Sequence, residues 1–381
     1  MKKSLMTLAC VMIALVMFNG VTYSPLVQVV PGPGLPPQVQ CMRSNNNLDL
    51  IQFDGKIFLA FRTAPTHFAG TKTHMYIVST KDQKSWDYEA EVFMGSDMRE
   101  PRFLAVNGKL MFYYFQAGKS IVTFTPQHIF AMERKGPGDW TKPKPVFDNG
   151  CVLWRSKTIN GKAYLTTYCG EGEYTGGNSG IKISLLTTGD GYNFTPVNPK
   201  HQVISTGGSE TDFEIDSKGD LYGVIRNEAG DGKDWSSKVC KASSADLSDW
   251  KCLSTEYKPD SPLVFKHGDD IYVIGRRSLD GAFDKGDRWL PSSTQSLYYL
   301  ARYWWTKKRT TLFKLDKASL KLEPVLDFPS KGDTSFAGLI QQDENHYLMY
   351  NYSSAPDGKD RVWMSGQLHK TFIFSTVITF N

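Results

Sequence analysis

Along most of the chain an apolar run is followed by a tight polar turn and a second apolar run. The unit recurs as LIQFDGKIFLAF (50–61), FLAVNGKLMFYY (103–114), SKTINGKAYLTTY (156–168), FEIDSKGDLYGVI (213–225), LVFKHGDDIYVIG (263–275) and LIQQDENHYLMYNY (339–352). Runs rich in Val, Ile, Phe and Tyr around Asp-Gly, Asn-Gly or Lys-Gly predict β-hairpins, because Gly accepts the positive φ that a two-residue turn demands.

A second marker runs in step with the first. It is a Ser/Thr-x-Asp turn closed by an aromatic: TKDQKSW (80–86), TGDGYNF (188–194) and SADLSDW (244–250), with a degenerate relative, KGPGDW, ending at Trp140. The closing aromatics Trp86, Trp140, Phe194 and Trp250 recur at a spacing of 54 to 56 residues. In such a turn the Asp can bind local backbone amides while the aromatic packs between sheets. Unrelated hairpins of a β-sandwich would not keep a constant spacing. About 50 residues per four-stranded unit is propeller spacing. The expected fold is all-β, a six-bladed β-propeller of four-stranded antiparallel blades, with an insertion rich in Trp and Tyr at about 280–308 in blade five.

The chain of 381 residues is long enough for one such domain, and 13% aromatic residues suit a turn-rich β fold. A net charge of +5 from scattered lysines fits an anionic ligand and is no nucleic-acid footprint. Lys2 and Lys3 precede an apolar run at 5–18, then NGVTYS. Residues 1–24 therefore read as a secretory signal peptide, residues 25–44 as a linker and residues 45–381 as the propeller, with a secreted or periplasmic destination and no membrane span once the signal is removed. Export permits disulfides. Cys240 and Cys252 could face each other across a hairpin. Cys151 and Cys169 flank the Asn160-Gly161 turn, and only a three-residue bulged turn would place them opposite. Cys41 is left over. No Cys/His spacing suggests zinc, so no metal or other cofactor is expected.

In a propeller blade the first strand starts and the second strand ends on one face, so the residues that bracket each hairpin gather at one mouth. They are Asp49, Arg62 and His67 of blade one; Asp97, Arg99 and Glu100 of blade two; Trp154, Arg155 and Tyr168 of blade three; Glu210, Asp212 and Arg226 of blade four; Asp260, Arg276 and Arg277 of blade five; and Asp333 and Tyr352 of blade six. The opposite face carries simple turns. Arg62, Arg226 and Arg276 end second strands, and converging guanidinium forks suit a carboxylate. The same arginines could equally pair with Asp97 or Glu100, the carboxylates could cap turns, and His67 could be merely structural.

The marker turns are a shortened form of the Asp-box. The stretches DLIQFDGKIFLAFRTAPTHF, SDMREPRFLAVNGKLMF, LWRSKTINGKAYLTTY, SETDFEIDSKGDLYGVIRNE, VIGRR and KGDTSFAGL with YNYSS follow one another as in the sialidase superfamily, which the chain resembles from about 45 to 354. The resemblance implies an arginine cluster on a substrate carboxylate, with Arg226 matching best, and a glutamate, here Glu210, that partners a catalytic tyrosine. Phe336 stands where that tyrosine is usual; Tyr352 at the end of the same hairpin is its expected substitute, Tyr168 is another candidate, and a water activated by Glu or Asp would make an inverting enzyme instead.

The resulting expectation is a monomeric glycoside hydrolase that removes a terminal acidic sugar, sialic acid or a keto-deoxy acid, from glycans. Asp49 or Glu100 would be acid or base, and Tyr352 with Glu210 the nucleophile pair. Arg62, His67, Arg99, Trp154, Arg155, Arg226, Arg276 and Asp333 would bind substrate. A lectin-like propeller without turnover and a glycosidase of neutral sugars are the alternatives.

Overall fold

Each of the six predicted hairpins forms, and each supplies the two inner strands of one blade. The structure, a computed structural model, describes residues 20–381 apart from 120–125, 148, 171–179, 228–234, 282 and 284–288. The inner pairs are Ser44–Phe53 with Lys56–Ala64, Asp97–Val106 with Lys109–Gly118, and Cys151–Ile159 with Lys162–Cys169. They continue as Thr211–Ile215 with Leu221–Ile225, Asp260–His267 with Asp270–Ser278, and Lys331–Gln341 with His346–Ser354. Two outer strands complete each antiparallel sheet, and three of the six sheets carry a short fifth strand.

The marker turns behave as their composition predicts. The carboxylate of Asp82 accepts from the amides of Lys84 and Ser85, and that of Asp190 from Tyr192 and Asn193. The closing aromatics fill the gaps between sheets. Trp86 of blade one meets Tyr350 of blade six at 6.2 Å, and Phe194 of blade three meets Tyr113 of blade two at 6.1 Å, both edge to face. Trp250 lies so close over Gly223 that a Cβ there would come within 2.4 Å of the indole.

Blade six is closed by the other end of the chain. Val21–Tyr23 and Val27–Val30 both pair with its third strand, Phe372–Phe380, in the register Val21 to Phe380. Residues 21–23 and 27–30, which fall in the stretches expected as leader and linker, satisfy their backbone groups in this sheet. The rest of the signal-peptide reading falls on residues 1–19, outside the described residues. No helix among the described residues is long and apolar enough to cross a membrane.

The cysteines form two bridges, Cys151–Cys169 and Cys240–Cys252, and Cys41 is free. The first bridge corrects the turn expected for blade three. Ile159 pairs with Lys162, so the turn is the plain two-residue Asn160-Gly161. The extra residue sits in the strand, as a bulge at Trp154, and this restores Cys151 opposite Cys169.

Candidate active site

The bulge at Trp154 has a counterpart in most inner first strands at the same depth below the mouth. Register shifts fall between Asn46 and Leu48, between Arg99 and Arg102, between Asp260 and Leu263, and between Ser335 and Gly338. Asn47, Glu100, Ser261 and Phe336 in these bulges have φ of 41°, 51°, 52° and 54°. A bulge re-aims its side chain. Here six residues are turned toward one another: Asn47, Glu100, Trp154, Ser261 and Phe336, with Glu210 supplied by the residue just before the first strand of blade four. Asn47 Nδ2 donates to Glu100 Oε1 at 3.2 Å. The Ser261 backbone N–H and Oγ donate to Glu210 Oε2 at 2.7 and 3.1 Å. The rings of Trp154 and Phe336, from opposite blades, meet across the axis at 5.0 Å.

Below this ring the channel is plugged by cations. Arg102 lies 4.9 Å from the Trp154 ring centroid and 3.6 Å from Glu100, and donates to the carbonyls of Trp154, Leu48 and Pro101. Arg155 and Lys157 follow, holding Asp212 at 3.1 and 2.9 Å. Beyond them a cavity of about 590 Å³ runs to the turn face, lined by Asp49, Gln52, Asn160, Glu214 and Gln341 among others. Of the expected site residues, Asp49 lines the cavity beyond the plug and Arg155 is part of the plug. Asp49 accepts from the Phe103 amide at 2.8 Å and ties blade one to blade two, as Asp212 ties blade four to blade five through the Val264 amide. Arg155 sits 3.7 Å from Asp49 and donates to the Pro262 carbonyl.

Above the ring the remaining expected residues do gather. Arg62 is fully buried, and its donors go to Asp97 twice, to Asn46 Oδ1 and to the carbonyls of Thr66 and Phe68. These donors are engaged within the protein, by the next blade and by its own loop. Arg99 holds the other oxygen of Asp97 at 2.5 Å and also donates to the His67 carbonyl. Arg226 bonds Glu210 at 2.6 Å and Asp260 at 3.0 Å. Arg276 donates to the Tyr303 hydroxyl at 2.8 Å and to the Thr334 carbonyl.

The tyrosine pair differs from expectation. Tyr352 donates to Asp333 Oδ1 at 2.9 Å, and Glu210 is engaged by Arg226 and Ser261 instead. Burial and the neighbouring Asp333 charge push the Tyr352 phenol well above its ordinary value. It is held as a phenol that donates to Asp333. Phe336 packs 5.9 Å from the Tyr352 ring, so the position where a tyrosine is usual is an apolar wall.

Glu100 is a carboxyl of this ring with a strongly raised value. Burial, opposed by Arg102 and reinforced by the charge of Glu210, pushes it up to about 7. Its Oε2 is buried without a hydrogen bond, 3.6 Å from the Arg102 guanidinium.

Two residues beyond the sequence reading complete the mouth. The insertion forms the helix α1, Ser292–Trp304, whose buried face carries Gln295, Tyr299 and Tyr303 at helical spacing. Tyr303 reaches in among cations: the Arg226, Arg276, Lys258 and Lys308 heads lie 5.8, 5.7, 5.4 and 3.6 Å from its ring centroid. Trp363, on the short helix α2, Trp363–Gly366, stacks 4.5 Å from the Arg276 guanidinium and donates to Asp333 at 3.1 Å. The aromatic richness of 280–308 was the one available signal for Tyr303, whereas nothing around Trp363 set it apart. Among the described residues no group of three His, Cys, Asp or Glu side chains could hold a metal ion.

No family model and no curated protein sequence matches the chain. Solved structures do. A protein of unknown function from Dyadobacter fermentans has a TM-score of 0.62 at 13% identity, over 95% of this chain and all of that one. Trypanosoma rangeli sialidase in complex with sialic acid has a TM-score of 0.57 at 12% identity, over 89% of this chain and 54% of that one, so the chain spans about half the trypanosomal protein. The phage phi92 endosialidase has a TM-score of 0.57 at 11% identity, over 96% of this chain and 70% of that one. Such identities establish a shared architecture and nothing finer: the chain is a six-bladed β-propeller structurally similar to the sialidases.

Proposed function

We propose that the protein is a glycoside hydrolase that removes a terminal acidic sugar, of the sialic or keto-deoxy acid class, from glycans. The observation that carries the reading is the ring at the base of the mouth. It holds a carboxyl tuned to about 7, Glu100, near the Glu210 carboxylate, under the cationic pair Arg226 and Arg276. The arginines supply the attraction for a sugar carboxylate. Glu100 supplies a proton to the leaving oxygen at neutral pH. With Phe336 in place of a tyrosine and Tyr352 held as a phenol, the chemistry uses an activated water and inverts the anomeric centre. The bulged, buried geometry of Glu100 fits a group positioned for chemistry, since left-handed φ at a glutamate is tolerated only where the surroundings enforce it.

The test is release of free sugar acid from sialylated and keto-deoxy-acid glycans, read by mass spectrometry, with Arg226→Ala as control. Release by the wild type, falling about 100-fold or more in the variant, supports the reading. A wild type that binds these glycans through Arg226 and releases nothing supports the second one, a lectin-like propeller. That reading is favoured by one feature, the apolar wall of Phe336, Trp154 and Tyr352 where a nucleophile would stand.

A further inference from the structure

A hydrolase that inverts needs a base as well as an acid. Glu210 is held by Arg226 and by both donors of Ser261. Asp333 is saturated too: Oδ1 accepts from Tyr352 and from Trp363, and Oδ2 from His67 Nδ1 at 2.6 Å. The open end of this second network is the imidazole. His67 lies in the loop after the second strand of blade one. Its backbone N–H donates to the Gln367 carbonyl at 3.1 Å, and its carbonyl accepts from Arg99 at 3.0 Å. The ring touches Asn46 and lies 6.2 Å from the Tyr352 ring. Among the described residues, Nε2 carries no hydrogen bond and is not among the sealed, unpartnered polar atoms.

We infer that His67 is the general base of the site, with Asp333 as its positioning residue. This rests on the hydrolase reading above. A carboxylate on Nδ1–H fixes the tautomer and leaves the Nε2 lone pair free to accept a proton. The charged and titratable groups facing the ring are Asp333, Arg99 and Arg62. Burial, the largest cause, pushes the imidazole below its ordinary value against the pull of Asp333, with Arg99 and Arg62 adding to the lowering, so the ring is neutral near pH 7. Asn46 and Asn47, consecutive in the first strand of blade one, touch His67 and Glu100 respectively, so one strand contacts both groups.

The step balances without any further reagent. Water oxygen forms the new bond to the anomeric carbon and gives its proton to Nε2. The glycosidic C–O bond breaks with its electron pair going to the leaving oxygen, which takes the Glu100 proton. The imidazolium formed faces Asp333, and the two groups return to their starting states through solvent.

The pH dependence follows with its sign. The base must be unprotonated, so activity falls as pH drops through the His67 value, below that of an ordinary imidazole. The acid must be protonated, so activity falls as pH rises through about 7. The test uses the full chain, an acidic-sugar glycan and the matching nitrophenyl glycoside. His67→Gln is expected to lower kcat by about 10²- to 10⁴-fold on both substrates, with KM little changed and the acidic limb of the pH profile lost. Glu100→Gln is expected to recover on the nitrophenyl glycoside, whose leaving group needs no proton. Inverted product seen first by NMR supports the assignment. Retained product, or a His67→Gln enzyme with the wild-type rate and acidic limb, overturns it while the hydrolase reading stands. A wild type that releases no sugar acid overturns both. Should His67→Gln not fold, nitrogen NMR of the wild type decides: a neutral Nδ1–H tautomer at pH 7 supports the role, and a charged ring or an Nε2–H tautomer overturns it.

Discussion

At the turn end of the channel Asp54-Gly55, Asn107-Gly108 and Asn160-Gly161 all take positive φ, between 47° and 77°. At the mouth end Asn47, Glu100, Ser261 and Phe336 take nearly the same angle, between 41° and 54°. The dihedral is alike and its causes are opposite. At the turns the residue types themselves want it, because Gly lacks a Cβ and Asn and Asp tolerate the left-handed region. At the mouth a glutamate and a phenylalanine are held in it by the neighbouring blades. One end closes hairpins, and the other bends strands out of register so that their side chains converge. Backbone conformation that agrees with its residue is architecture, and conformation imposed on its residue marks the place where the fold is shaped for something else.

Substitutions at the two ends should separate these roles, the largest effect coming from the mouth. Glu100→Gln is expected to cut release of sugar acid from natural glycans by about 10²- to 10⁴-fold. The same change should raise stability. Glu100 has an ordinary value of 4.5 and a folded value of about 7, so the native state binds more protons than the unfolded one across that interval. Stability therefore falls as pH rises from about 4.5 to about 7, by roughly 3 kcal/mol at most, and the Gln variant should lose that slope in denaturant titrations at pH 5 and pH 8. An enzyme gaining stability while losing rate would confirm the division; a variant losing both would blur it.

The next effect ties the two ends together. Replacing both Cys151 and Cys169 by Ser is expected to cost about 3 kcal/mol for a loop of this size, read as a lower unfolding midpoint under non-reducing conditions. Because the bridge fixes the register that creates the Trp154 bulge, activity should fall with it; unchanged kinetics would show that the blades hold the bulge unaided. The smallest effect belongs to the turn end. Gly55→Ala, at φ of 69° with open space around it, should cost about 1–2 kcal/mol and leave kinetics untouched.

The same contrast explains what could be read from the sequence. The hairpins, their Gly-containing turns and the Asp-box carboxylates are local chemistry, and their positions were plain from residue type and spacing. The gathering of Arg226, Arg276, Glu100, Glu210 and Asp333 at one mouth followed from hairpin register. What each of them binds did not. Arg62 looked like a clamp, yet it is satisfied by Asp97 from the next blade and by its own loop. Asp49 looked like an acid, yet it accepts from the Phe103 amide. Tyr352 found Asp333 rather than Glu210. The partners that decide these outcomes, Asp97, Phe103 and Asp333, lie 35, 54 and 19 positions away, which no local pattern records. The cysteines carry a further clue: with a two-residue turn at Asn160-Gly161, Cys151 and Cys169 fall one residue out of register, so a bridge between them demands an extra residue, in the turn or in the strand.

The closure of blade six sets an order on events. Val21 pairs with Phe380 and Ser24 with Val377, so almost the first described strand waits for the last. A growing or translocating chain can form the hairpins of blades one to five as they emerge, since each is local. It cannot lock the ring until the final ten residues are present, because the contact of longest reach is also the one that fastens the circle. The assembled mouth, which needs side chains from every blade, is accordingly a late product of folding, and an interrupted chain carries blades but no site.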